Sequence, residues 1–489
     1  MSTLARLAVR GTLAVAAANT LGRLVSFAGA LYLMSAIDPD QFGLVAYAAA
    51  LLALCDSLTN WGFAQAAIHR RERVDETFAA YRVVRPVLLA AALALLAALA
   101  LPFRGLLLTR TRLEILVALA GVVLVDAACD APATRLARAM RFGRLAAVEA
   151  VSVVLSTAVA IVLASLGFGP WALVGNRAAH ALARTVGLAL VRVDPLRLRF
   201  DLADALWLMR FGLPLWLGSL ATTWVLNYDD LVVGSMRGKH TLGLYDRAYK
   251  LALAPLSLVT GVLTRVSFPL YARLQADRQR LSEAFRLASG TTFRLAAPMA
   301  LGMALVIPDF LAVMHWRRWE PMAPMFRWLL LYAMARPLMD DAGGLLTAVG
   351  HPRITGHTLL AEAAALVVLC PLMTVLWGAQ GAAASVGLVV LGGLAVWYTV
   401  YLPRFVDLSL RRLLLWPAAG LAAGAAAGMC VGAFAGLGIG LAGGLARLAA
   451  AAAAYAAVLL LLDGRQALAD LRALRRHAFG IESEGGGSP

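Results

Sequence analysis

A chain of 489 residues that is 61% hydrophobic and only 15% charged, with a mean hydropathy of +0.77, lacks the polar surface of a water-soluble globule. Its formal net charge of +16 invites a nucleic-acid reading, but the arginines sit in short connections between apolar runs, where membrane topology accounts for them better. The four cysteines, Cys55, Cys129, Cys370 and Cys430, lie inside those runs without paired spacing, which argues against disulfides and zinc.

Apolar runs near the length of a membrane helix recur along the whole chain. They predict an all-α polytopic membrane protein of about fourteen transmembrane helices. Arg6 and Arg10 precede the first run, which continues past Arg23 to Met34. It is too long for a signal peptide and lacks a small-residue cleavage site, so an uncleaved first span is expected. Predicted spans lie near 11–35, 41–65, 80–101, 113–131, 147–166 and 170–190, making an N-terminal lobe over 1–191. A connection at 192–210 leads to six more, near 211–233, 242–268, 291–313, 325–348, 357–377 and 380–402, making a C-terminal lobe over 211–403. Two last spans, near 413–436 and 440–462, fill 404–462 and read as an appended pair packed against lipid; 463–489 reads as a cytoplasmic tail with a disordered Gly/Ser-rich end. The segment from Arg273 to Ser289 has the spacing of an amphipathic interfacial helix.

The charges test this count. Alternate connections hold Arg70, Arg71, Arg73, Arg82 and Arg85, then Arg135, Arg138, Arg141 and Arg144, and later Arg273, Arg278 and Arg280. The opposite set holds far fewer: Arg104, Arg110, Arg112, Arg237, Lys239, Arg317 and Arg318. The asymmetry places both termini in the cytoplasm. A weak repeat supports two lobes. Phe42-Gly43-Leu44 with Tyr47 recurs 200 residues later as Leu242-Gly243-Leu244-Tyr245.

No catalytic constellation stands out, the histidines are scattered, and the loops are too short for a soluble catalytic domain. No enzyme activity, metal or cofactor is expected. What remains is a set of ionisable residues inside apolar spans, which should face the bundle interior or one another. Arg247 and Lys250 share a helix face. With Arg23, and less directly Arg265, they are candidates to line a cationic cavity between the lobes that grips a phosphate-bearing substrate. Asn19 lies one turn before Arg23. Trp224, Asn227 and Tyr228 are candidates to contact sugar rings, or else belong to an interfacial aromatic belt. Asp229, Asp230, Asp340 and Asp341 are candidates for proton or sodium coupling. The competing reading makes these charges mutually neutralised struts, with Asp246 or Asp230 against Arg247. Pro214, Pro255, Pro269, Pro298 and Pro308 are placed to kink helices of the second lobe.

Several stretches resemble the polysaccharide transporters of the multidrug/oligosaccharidyl-lipid/polysaccharide flippase superfamily. The residues are Asn227-Tyr-Asp-Asp-Leu231-Val-Val-Gly234, Leu242-Gly-Leu-Tyr-Asp-Arg-Ala-Tyr-Lys-Leu251, Pro255, Phe268-Pro269 through Leu274, and Pro39-Asp-Gln-Phe42-Gly43-Leu-Val-Ala46. The run from Trp61 to Ile68 is similar to a further family element but has Trp61 where the family often has a small polar residue. The resemblance covers residues 5 to 462. It implies a lipid-linked oligosaccharide substrate, usually on undecaprenyl diphosphate, moved by alternating access across the bacterial plasma (inner) membrane. It also implies membrane lipids and a polysaccharide polymerase or export complex as partners, with no nucleic acid. The alternative within the superfamily is an ion-coupled multidrug or small-solute antiporter.

Overall fold

The computed structural model describes residues 3–100, 110–191, 201–409, 411–434 and 438–479, with side chains described except at 3–19, 100, 214–215, 257–266, 411–412, 434, 463 and 465–479. All regular structure among them is helical: α1 (Thr3–Ala36), α2 (Pro39–Thr59), α3 (Phe63–His69), α4 (Val74–Ala100), α5 (Arg110–Arg138), α6 (Phe142–Ser165), α7 (Pro170–Leu190), α8 (Leu202–Leu274), α9 (Arg278–Val313), α10 (Ala323–Ala348), α11 (Pro352–Trp377), α12 (Ala379–Val396), α13 (Trp416–Phe434) and α14 (Leu441–Phe479). Proline at the first turn starts α2 and α7, where its missing N–H costs nothing. Asp277 caps α9 by accepting from the Arg280 N–H at 3.0 Å.

Within the described residues, eight segments are long and apolar enough to cross a membrane: Pro39–His69, Val74–Leu99, Phe142–Ser165, Arg278–Val313, Pro352–Trp377, Ala379–Arg404, Leu413–Ala433 and Leu441–Leu462. Their outward side chains are leucines and valines, such as Val368, Leu376 and Leu461, as a lipid solvent requires. The protein is therefore a polytopic all-α membrane protein. The helices outside that set include α5, α7, α8 and α10, of which α5 and α7 supply partners for charges on the apolar helices, as described below.

The chain groups into two compact units, one of Met1–Arg247 with Leu359–Ser385 and one of Ala248–Thr358 with Val386–Pro489. In the first unit, α6 packs along both α1 and α7, and α5 packs against α2, α4 and α7. A core at one end joins Phe63, Ala67, Phe78 and Tyr81 to Ala205 and Leu208 of α8. In the second unit, α9 is the central helix, touching α10, α13 and α14.

Four details depart from the sequence expectation. Arg85 is not a loop charge: α4 begins at Val74, and Arg85 is 1% exposed inside it. α8 begins at Leu202, so the described end of the 192–210 connection is already helix, held by the burial of Ala205 and Leu208. The segment 273–289 is not a separate interfacial helix, because α9 runs unbroken from Arg278, with Leu281, Phe285 and Ser289 buried. The final pair, α13 and α14, is not held by lipid contact alone. Gly424 and Gly428 of α13 and Gly302 of α9 sit too close to their neighbours to carry a side chain without a shift, and Arg447 of α14 reaches Asp309 of α9 at 2.7 Å. The tail residues Gly480–Pro489 lie outside the described residues, whereas α14 continues to Phe479.

Candidate functional site

Charges inside the helices are satisfied in two distinct ways. In the first unit, Arg85 of α4 donates to Asp56 and, at 2.6 Å, to Thr59, both on α2, and lies 3.5 Å from Asp130 of α5. Arg184 of α7 donates to Glu149 of α6 at 2.8 Å and stands 3.7 and 3.9 Å from Asp126 and Asp130. The helices α2, α4, α5, α6 and α7 thus share one polar network. Two guanidinium groups face four carboxylates in it, so attraction between the helices offsets part of the cost of keeping these charges from water.

α8 breaks at Gly238, whose φ of +82° only glycine adopts at no cost. The break aligns Asp40, at the start of α2, with Lys239 at 3.0 Å and His240 at 2.6 Å. Just beyond it, Gly43 and Gly243 face each other. A Cβ on Gly43 would overlap the Lys239 carbonyl, and one on Gly243 would overlap the Pro39 carbonyl. The two copies of the repeat therefore meet backbone to backbone. Near the far end of this unit, Arg70 bonds Asp204 at 2.8 Å and stacks over Trp207, while Arg73 reaches Asp204 at 3.0 Å and also Asp201. Asp201 raises the pKa of the exposed Arg73 guanidinium above its ordinary value.

Arg247 donates from Nε to Asp246 at 2.8 Å, adds a second bond from its Nη2, and lies 4.5 Å over the Phe42 ring. It thus has the strut geometry with its neighbour, while part of its guanidinium stays accessible at 12% side-chain exposure. Trp224 and Tyr228 stack on each other with centroids 5.4 Å apart. Asn227 donates back to its own helix at Thr223, 2.9 Å away. Arg23 and Lys250 are exposed, each with interactions of its own. The side chains of Asn19 and Arg265 lie outside the described residues.

The second way of satisfying charge uses hydroxyls. Asp229 is 2% exposed and accepts from the Tyr245 hydroxyl at 2.6 Å. In the second unit, Asp341 of α10 is 4% exposed. It accepts from the Tyr271 hydroxyl at 2.9 and 3.1 Å, and from Ser289 of α9. Both tyrosines are fully buried. Asp340, one residue away, is half exposed and paired with Arg336 at 2.9 Å. Asp230 makes further contacts of its own. The candidate carboxylates therefore divide: Asp341 and Asp229 are held by neutral donors, Asp340 by a cation.

Sequence reasoning missed Arg184 and misplaced Arg85, and it did not find Tyr245, Tyr271 or Ser289. Arg85 carried a signal: it sits four residues after Tyr81 and four before Leu89, both buried in the structure, and therefore on the inward face of a helix. Among the described residues no group of three metal-ligating side chains comes together.

The family model for a polysaccharide biosynthesis protein matches residues 36–324, and the chain belongs to that family. It is 26% identical over 296 residues to the succinoglycan biosynthesis transport protein ExoT of Rhizobium meliloti, covering 60% of each chain. It is 26% identical over 325 residues to the lipopolysaccharide biosynthesis protein WzxC of Escherichia coli, covering 64% of each. The alignments thus span less than two thirds of these relatives' lengths. Among solved structures, the fold matches the lipid II flippase MurJ in an inward closed conformation, with a TM-score of 0.72 at 10% identity, over 91% of this chain and 98% of that one. An inward-facing multidrug resistance MATE family transporter matches with a TM-score of 0.54 at 16% identity, over 80% and 94%.

Proposed function

We propose that the protein moves a lipid-linked oligosaccharide, carried on undecaprenyl diphosphate, from the cytoplasmic to the outer leaflet of the inner membrane, for the assembly of a cell-surface polysaccharide. The observation that carries this reading is the coincidence of two independent likenesses. The chain belongs to a polysaccharide biosynthesis family, and nearly its whole length takes the fold of a flippase for a lipid-linked saccharide. No covalent step is needed.

The topology in this reading has fourteen spans, two lobes at 1–191 and 211–403, an accessory pair at 404–462, and both termini in the cytoplasm. Arg23, Arg247, Lys250 and Arg265 bind the diphosphate, and Asn19, Trp224, Asn227 and Tyr228 border the glycan. Two sets of ion pairs, both formed in this structure, are the gates in this reading of alternating access. Asp40 with Lys239 and His240 joins the first turn of one lobe to the first turn of the other. Arg70 and Arg73 hold the entry to the second lobe through Asp204. Opening one set while the other stays closed exposes the cavity to one side at a time. A polysaccharide polymerase or export complex receives the product.

Asp341 favours a second element, ion coupling. A buried carboxylate held by hydroxyls, rather than by an arginine, has a charge that a proton or a sodium ion can balance. The same feature would serve an ion-coupled multidrug or small-solute antiporter, so one assay has to separate the two. Proteoliposomes carrying a fluorescent lipid-linked oligosaccharide should show leaflet exchange that depends on the protein. No exchange, together with ion-driven efflux of cationic solutes, would overturn the flippase reading.

A further inference from the structure

A cavity of about 680 Å3 lies between α2, α4, α5 and α8, apart from every residue assigned to substrate above. Its walls are mainly leucine and alanine, including Leu51, Leu93, Leu96 and Leu116, with Tyr47 and Ser235 among them. Arg112 at the start of α5 and Lys239 at the break in α8 line it, and no carboxylate lies among its described lining residues. Arg112 is in the first turn of α5 and Lys239 follows the Gly238 break, and each already has interactions of its own. Leu113 and Val117 on its wall are 46% and 62% exposed, so the space opens along an uncovered apolar side of α5.

We propose that this cavity holds one acyl chain of an anionic phospholipid, with the lipid phosphate at Arg112 and Lys239. A volume of this size buries a drug-sized apolar ligand, which suits a single acyl chain and falls far short of a long polyprenyl tail. Lined by helices and by two cations, it joins an apolar slot to donors suited to an anionic headgroup. Lys239 also bonds Asp40 at 3.0 Å, so one lipid oxygen would share an ammonium already fixed in place rather than order a free one. Arg112 supplies the planar donor fork that phosphate prefers. The lipid would sit beside the Gly43–Gly243 crossing and so become part of the packing around it.

The test is native mass spectrometry of the delipidated full chain. It would be titrated with phosphatidylglycerol, with phosphatidylethanolamine of the same acyl composition, and with undecaprenyl phosphate. Phosphatidylglycerol should be retained preferentially, by about five-fold for each cation engaged. Arg112→Gln should reduce that preference about five-fold, and Arg112→Lys should restore most of it. Ala120→Trp, which fills the cavity, should lower retention of both phospholipids. Equal retention of the two phospholipids by the unaltered chain would overturn the proposal, as would an unchanged preference in Arg112→Gln. Retention of undecaprenyl phosphate that falls in Ala120→Trp as far as that of phosphatidylglycerol would also overturn it, by assigning the space to a polyprenyl carrier.

Discussion

Gly43 and Gly243, 200 residues apart in a weakly repeated sequence, face each other so closely that neither has room for a methyl group. A side chain on either would be driven into the facing helix's backbone, and backbone yields far less easily than a rotamer. Gly43→Ala and Gly243→Ala should each cost about 1–3 kcal/mol, as overpacking does. A methyl group on Gly121 of α5 would meet nothing within 4 Å, so Gly121→Ala should be neutral or stabilising. Thermal unfolding of detergent-purified variants checks the contrast. Equal midpoints for Gly43→Ala and Gly121→Ala would show that the close crossing contributes nothing to stability.

Arg85 is the cation that closes the α2–α4–α5 network on Asp56 and Asp130. Arg85→Ala strips those carboxylates of this counter-ion and should cost about 3–5 kcal/mol. The expected readout is loss of the monodisperse, folded fraction in size-exclusion chromatography. Asp56→Asn should be milder, because Thr59 and Asp130 remain with the arginine.

Asp341→Asn keeps the shape of the Tyr271–Ser289 cluster while removing the ionisable group. The protein should stay folded, and transport should lose its dependence on an imposed proton or sodium gradient. Tyr271→Phe removes one donor from a buried carboxylate and should cost about 1–3 kcal/mol. Undiminished gradient dependence in Asp341→Asn would eliminate this carboxylate as the coupling group.

Arg247 faces two roles that a double substitution separates. As a phosphate contact, Arg247→Ala should abolish lipid-linked oligosaccharide exchange at unchanged membrane abundance, and Asp246→Asn in addition should not rescue it. As a strut only, the double variant should regain exchange, because the buried Asp246 charge that Arg247 offsets would be gone as well.

Much of this molecule was legible in its sequence. The apolar runs between 39 and 462 are helical in the described residues, with breaks at glycines such as Gly169, Gly238 and Gly378 between them. Hydrophobicity and turn chemistry are local, so they can be read locally. Partnerships are not. Arg85 read as a loop charge because nothing near it in the chain announces Asp56 or Asp130. Tyr271 and Ser289 fall between the predicted spans 242–268 and 291–313, and nothing near them in the chain announces their acceptor, Asp341, on another helix. The strut and phosphate readings of Arg247 were both in the sequence, and the structure adds the bonded Asp246 and the Phe42 ring beneath it.

The pairing of Asp309 with Arg447 has a consequence for the order in which the protein is made. Asp309 is 1% exposed and accepts from the Arg447 guanidinium at 2.7 Å and the Gly440 N–H at 2.9 Å. Both donors leave the ribosome more than a hundred residues after their acceptor. During that interval α9 must dwell in or beside the insertion machinery with a carboxylate that has no lasting place in lipid. The last helix to emerge is thus the one that completes a helix inserted long before it. A nascent chain halted before Gly440 should remain cross-linkable to the insertion apparatus through α9, whereas one released past Arg447 should not.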